Sequence, residues 1–268
     1  MEMLNFIFAA TVETGDFTGF TFFIGSVSML AATVWFLMQH GQVDKKFKDS
    51  MLVAALITGI AAVHYFYMRE QWVLGFQESA DFLANNKPEE AAKALKDASP
   101  TELRYIDWIL TVPLMVVEFA LLTGVGMRKL FWASVVMLVT GYFGEAVAGG
   151  ATFIGGDAQI WGTVSALAYF YMAYEVGCLS IFGGPSGAVG KALSSASGKI
   201  PSAGRMLQWF VLVGWAIYPL GYLMGTDNGM WYDGIKELVP LNMNVVYNLG
   251  DAINKIGFGM AVWVAARG

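Results

Sequence analysis

Seven stretches of the chain stay apolar for the length of a membrane span, and most polar residues fall between them. The blocks lie near 18–40, 50–69, 102–125, 130–152, 158–182, 205–225 and 242–266. A helix crossing a bilayer needs roughly 20 predominantly apolar residues, and all seven blocks meet that length. None shows the apolar/polar alternation over about ten residues that marks a barrel strand. Backbone hydrogen bonds inside a bilayer must then be closed within helices. The pattern predicts an all-α bundle of seven transmembrane helices, one domain over 1–268.

The segments between blocks carry their own signals. Residues 1–17 have an apolar centre but Glu2 where a cleaved leader carries basic residues, which predicts a short surface segment and no cleavage. Residues 72–100 read as a long loop in which "KPEEAAKALKDA" forms a short surface helix after Pro88. The Gly/Ser-rich 183–204 stretch reads as a flexible loop.

Composition agrees with a membrane protein: 56% of the 268 residues are hydrophobic and 14% charged, against about 45–50% and 25% in soluble domains. The net charge of −5 is spread between the blocks with no basic patch, which gives nucleic-acid binding no support. Cys178 is the sole cysteine, so one chain can build neither a disulfide nor a zinc cluster from cysteines. Lys45, Lys46, Lys48, Arg128, Lys129, Lys191, Lys199 and Arg205 lie in loops on one side. By the positive-inside rule that side is cytoplasmic, with the N-terminus outside and the C-terminus cytoplasmic.

Charges inside the blocks bear on function. "RYIDWILTVPLMVVEF" (104–119) places Asp107 and Thr111 four residues apart on one helix face, with Glu118 about 20° off that face and roughly 16 Å along the axis. The seventh block places Asp251 and Lys255 one turn apart, with Lys255 about 20 Å in from the outer end. Ionisable groups at that depth cost about 2.5–3.5 kcal/mol each and face the bundle interior with partners. Lys255 and Arg104 against Asp107 and Asp251 sum to zero. A buried amine is also the residue type that forms Schiff bases with carbonyl compounds. His64 and Asp107 both sit about 9 Å deep, which lets them meet within or between protomers.

These residues sit in "VHYFYMR", "RYIDWILTVPLMVVEF", "GYFGEA", "WGTVS", "GWAIYPLGY" and "YNLGDAINK", in that order. The whole chain resembles the microbial rhodopsins, most closely the proteorhodopsin and xanthorhodopsin group of light-driven proton pumps. The resemblance implies all-trans retinal on Lys255 as a protonated Schiff base, Asp107 as primary counterion and proton acceptor, and Asp251 as second counterion. Thr111 would hydrogen-bond the acceptor, Glu118 would be the cytoplasmic proton donor, and Arg104 would organise the outward exit. The residue matching His64 bonds the primary acceptor in proteorhodopsins. Trp108, Trp215, Tyr218, Pro219 and Tyr222 match the retinal box, and Met115 the position where leucine or methionine goes with green absorption. Gly162 matches the glycine that opens a side window for an antenna carotenoid, with a hydroxylated carotenoid the expected ligand; close helix packing is its other reading. Glu145 and Glu175 read as structural or solvated. The resemblance further implies a bacterial inner-membrane, multi-pass protein in contact with lipid, moving protons, and assembled as a homo-oligomer, a pentamer or hexamer.

Three other functions are weighed by the same residues. Asp107, Thr111 and Glu118 disfavour a sodium or chloride pump, and Glu118 disfavours a photosensor signalling through a partner protein. A non-photochemical receptor has no use for a midplane lysine beside an aspartate.

Overall fold

A computed structural model describes residues 16–147, 158–225 and 242–267. Its helices are α1 (Phe17–His40), α2 (Lys48–Ala84), α3 (Pro88–Asp97), α4 (Thr101–Thr123), α5 (Arg128–Tyr142), α6 (Ala158–Val176), α7 (Ala188–Ser195), α8 (Ile200–Trp209), α9 (Ile217–Gly225) and α10 (Met243–Ala266). A π turn, Phe143–Val147, extends α5, and a second, Phe210–Gly214, joins α8 to α9. Counting α8 and α9 as one rod, the described residues form seven long rods and no strand.

The bundle exposes large apolar side chains outward and buries a few charged ones beside its apolar core. Leu167, Phe170 and Ile253 are each 64% exposed, whereas Asp107, Glu118 and Asp251 are fully buried. Lipid-facing apolar residues and an interior holding the charges are what a bilayer selects. α10 packs against α1, α2, α4 and the α8–α9 rod and so closes the ring around its own charged face.

Two inter-block segments differ from expectation. The second helix does not end near 69: it runs 37 residues, about 55 Å, well beyond the roughly 30 Å hydrocarbon core. Trp72 explains the first extra turn, because its indole N–H donates to Asp16 Oδ1 (2.9 Å), the carboxylate that also caps α1 at Gly19 N (2.8 Å). Beyond it, Gly75 lets α3 lie against α2: a Cβ there would collide with Ala98 and come within 3.1 Å of the Ala94 carbonyl. The 72–100 stretch is therefore a helical hairpin, reversed at Asn86 in the left-handed region (φ 56°). The Gly/Ser-rich 183–204 stretch is likewise not a flexible loop. Val189 and Leu193, one turn apart, are buried in α7, and Leu193 fills the space left by Gly204 in α8. Of the 1–17 segment, residues 1–15 lie outside the described residues, and Asp16 and Phe17 open α1.

Candidate functional site

α4 and α10 present their charged faces to each other. Lys255 Nζ donates to Asp107 Oδ2 and to Asp251 Oδ2, the latter at 2.5 Å, with all three side chains fully buried. Tyr218 on α9 donates its hydroxyl to Asp251 Oδ1 at 2.7 Å. Asp107 Oδ1 has no hydrogen-bond partner. One amine thus bridges two carboxylates, an arrangement that pays its desolvation cost only while every member stays paired.

Arg104 does not join this cluster. Its guanidinium donates to Asn244 Oδ1 (3.1 Å) and Asn248 Oδ1 (3.4 Å) and stacks over the Tyr247 ring at 4.8 Å. The zero-sum quartet therefore separates into a lysine–aspartate triad and an arginine one layer toward the Phe17 end of the bundle. Ser99 Oγ donates to the same Asn244 oxygen (3.2 Å), and Asn248 Nδ2 donates to Thr21 Oγ1 (2.9 Å). The sequence reading passed over these asparagines. Their signal was present: Asn244, Asn248, Asp251 and Lys255 recur at spacings of four, three and four on one face of α10.

Thr111 lies one turn past Asp107, but its hydroxyl donates to the Asp107 main-chain carbonyl (2.8 Å), not to the carboxylate. His64 is half-buried, and its Nδ1–H donates to the Ile60 carbonyl at 2.8 Å. It makes no hydrogen bond to Asp107, although it lies within electrostatic range of it. Glu118 is fully buried near the other end of α4 with both carboxyl oxygens unpartnered, beside Ser50 of α2, whose hydroxyl is also unpartnered. An ionised carboxylate without donors or counter-charge is costly in an apolar site, so the geometry suits a group that stores a proton. Glu145 accepts from Tyr105 Oη at 2.7 Å, and Glu175 is buried against Gly187; both have structural settings.

A cavity of about 350 Å³ opens between α4, α5, α6 and α9, within the range of small-molecule sites. Trp108, Trp215, Tyr218, Pro219, Tyr222 and Gly162 are on its wall. Trp108 and Tyr218 meet edge to face at 4.7 Å on this wall. Met115 is buried on α4 one turn beyond Thr111 but is not on this wall. The lining is mostly apolar and aromatic; the buried amine and its two carboxylates are not on the wall, and Tyr218 links the two through its bond to Asp251. At Gly162 a Cβ would lie 2.6 Å from Cε1 of Tyr222, so the glycine makes room for that ring. Tyr222 Oη donates to the Ala158 carbonyl, which fixes the ring there.

Residues 16–268 match the family described as bacteriorhodopsin-like protein. The chain is 37% identical over 264 residues to the green-light absorbing proteorhodopsin of Gamma-proteobacterium EBAC31A08, covering 95% of this chain and 88% of the relative. It is 38% identical over 262 residues to the blue-light absorbing proteorhodopsin of Gamma-proteobacterium Hot 75m4, with the same coverage. Among solved structures, the blue light-absorbing proteorhodopsin from Med12 superposes with a TM-score of 0.67 at 35% identity, over 94% of this chain and 98% of that one.

Proposed function

The chain belongs to the bacteriorhodopsin-like family, and from that premise we propose that it is a light-driven outward proton pump carrying all-trans retinal on Lys255. It is a multi-pass membrane transporter, not an enzyme. The observation that carries the reading is the Lys255 amine held between Asp107 and Asp251, with Tyr218 linking Asp251 to an aromatic cavity.

Retinal, bound as a protonated Schiff base, supplies light-driven isomerisation next to these groups. Asp107 accepts the proton through a carboxylate whose second oxygen has no competing donor. Asp251, held by Tyr218, stays as the standing counter-charge. Arg104 and its asparagines form the polar layer between the acceptor and the Phe17 end, which is the outer end under the positive-inside orientation. Glu118 supplies the replacement proton from the opposite side, about 16 Å farther along α4. His64, which makes no hydrogen bond to the triad, tunes Asp107 through its charge or across a protomer boundary in a pentamer or hexamer. Met115 supports green absorption. Gly162 supports a hydroxylated carotenoid antenna, which enters only if the Tyr222 ring yields.

The test is illumination of retinal-supplied cells with external pH recorded. Light-dependent acidification that a protonophore abolishes is expected; no pH change from a correctly inserted pigment would overturn the reading.

A further inference from the structure

The sixth rod is broken between α8 and α9. Pro219 has no N–H for the Trp215 carbonyl, which accounts for the irregularity at Trp215 and Ala216, and just before it Trp215 N bonds Phe210 O (2.9 Å), a five-residue ring in place of the usual four. A π turn leaves carbonyls displaced from their regular donors, and here side chains of two other helices take them up. Tyr169 of α6 donates its hydroxyl to the Val211 and Leu212 carbonyls (3.0 and 3.2 Å). Asn254 of α10 donates its amide to the Gly214 carbonyl (2.9 Å). Glycines set the distance on both flanks: a Cβ on Gly214 would collide with Asn254 Oδ1, and one on Gly257 would collide with the Phe210 ring.

The two halves of the rod are tethered differently. Below the turn, Gln208 of α8 donates to the Val176 carbonyl (2.9 Å) and accepts from Cys178 Sγ at its own carbonyl (3.4 Å), which ties α8 to the end of α6. Above it, Tyr218 of α9 is bound to Asp251. The break coincides with the change of tether, and Trp215, at its exit, is on the cavity wall.

Asn254 is the peptide neighbour of Lys255. One side chain holds the buried carboxylates while the other, about 100° around α10, holds the π turn. We propose that the π turn is a latch closed by Asn254 and Tyr169, and that Asn254 is a positioning residue that transmits displacement of the Lys255 backbone to the α8 half of the rod. A hydrogen bond weakens steeply with misalignment, so a small rotation of α10 at Lys255 opens the Gly214 contact and releases α8 with the end of α6. The light-driven part rests on the retinal reading; the latch itself does not.

Amide hydrogen exchange of the full protein in membranes tests this, in the dark and under illumination. Asn254→Leu should raise dark exchange at residues 210–217 by about fivefold, the effect of one lost hydrogen bond, with α1 and α2 unchanged. Tyr169→Phe, which removes only a hydroxyl, should raise the same window. In the wild type, light should raise exchange there, and in Asn254→Leu that light–dark difference should shrink, because the latch is already open. Dark exchange unchanged in both variants, or raised evenly over all seven rods, would overturn the latch. A localised dark increase in the variants with no light response in the wild-type pigment would overturn the coupling and leave the retinal reading untouched.

Discussion

Removing the Lys255 amine would leave Asp107 and Asp251 buried without a counter-charge, because Arg104 is committed to Asn244 and Asn248. Lys255→Ala should therefore yield no stable visible pigment with added retinal, and should destabilise the bundle by about 3–5 kcal/mol unless a carboxyl takes up a proton; absorption spectra and thermal unfolding report the two effects separately. Asp107→Asn should abolish transport while retaining a pigment. Glu118→Gln should leave the early photocycle intact and slow reprotonation of the chromophore by tenfold or more, read by flash photolysis, since no other buried carboxyl lies along that part of α4 among the described residues. At this scale the cluster of Asp107, Asp251 and Lys255 was legible as buried charges in need of partners. Charges in an apolar block need partners, and helical spacing indicated which ones. What the sequence did not reveal was the choice among partners: Thr111 could reach either its own helix's carbonyl or the carboxylate, and Arg104 either an aspartate or an asparagine. Those choices depend on side-chain packing between helices, which spacing along one helix does not specify.

The same division holds for elements. Apolar length is a local property, so the seven spans were readable. The end of α2 was not, because past residue 69 the helix is stabilised by a tertiary bond, Trp72 to Asp16, and by α3 lying on Gly75. Gly75→Val should force α3 away, at a cost of about 1–3 kcal/mol from overpacking, and should increase tryptic cleavage at Lys87, Lys93 and Lys96 without altering the visible band. The π turn between α8 and α9 was equally hidden, since its stabilising donors come from Tyr169 and Asn254 on other helices. Gly162 was read as either a window or a packing residue, and the Tyr222 ring beside it gives the packing reading a definite contact. The two readings part in one experiment. If a hydroxylated carotenoid docks there, its addition should extend the action spectrum of pumping into the blue, and Gly162→Trp should remove that extension while green-light pumping persists. A pigment that takes up no carotenoid in the wild type leaves Gly162 with its packing role alone.

For the whole molecule, direction of transport and orientation in the membrane are one question. Asp107, the proposed acceptor, lies about 9 Å from the start of α4 and Glu118, the proposed donor, about 26 Å from it, so the proposed proton path runs from the His40 end of the bundle to the Phe17 end regardless of which faces the cytoplasm. Orientation is set by loop lysines and arginines, and eight of these gather at the His40 end: Lys45, Lys46, Lys48, Arg128, Lys129, Lys191, Lys199 and Arg205. The α2–α3 hairpin at the Phe17 end carries Lys87, Lys93 and Lys96 among more numerous acids. Outward pumping therefore requires the hairpin to be outside. Trypsin added to spheroplasts should cleave at the hairpin lysines and spare Lys191 and Lys199, whereas inverted vesicles should show the opposite pattern and take up protons in light. Bleaching either preparation with hydroxylamine should stop transport without changing the cleavage pattern, because removing the chromophore takes away the driving reaction and leaves the charge asymmetry in place. Cleavage at Lys191 in intact spheroplasts, together with external acidification, would break the link between the two and require the proton to travel from the Asp107 end toward Glu118.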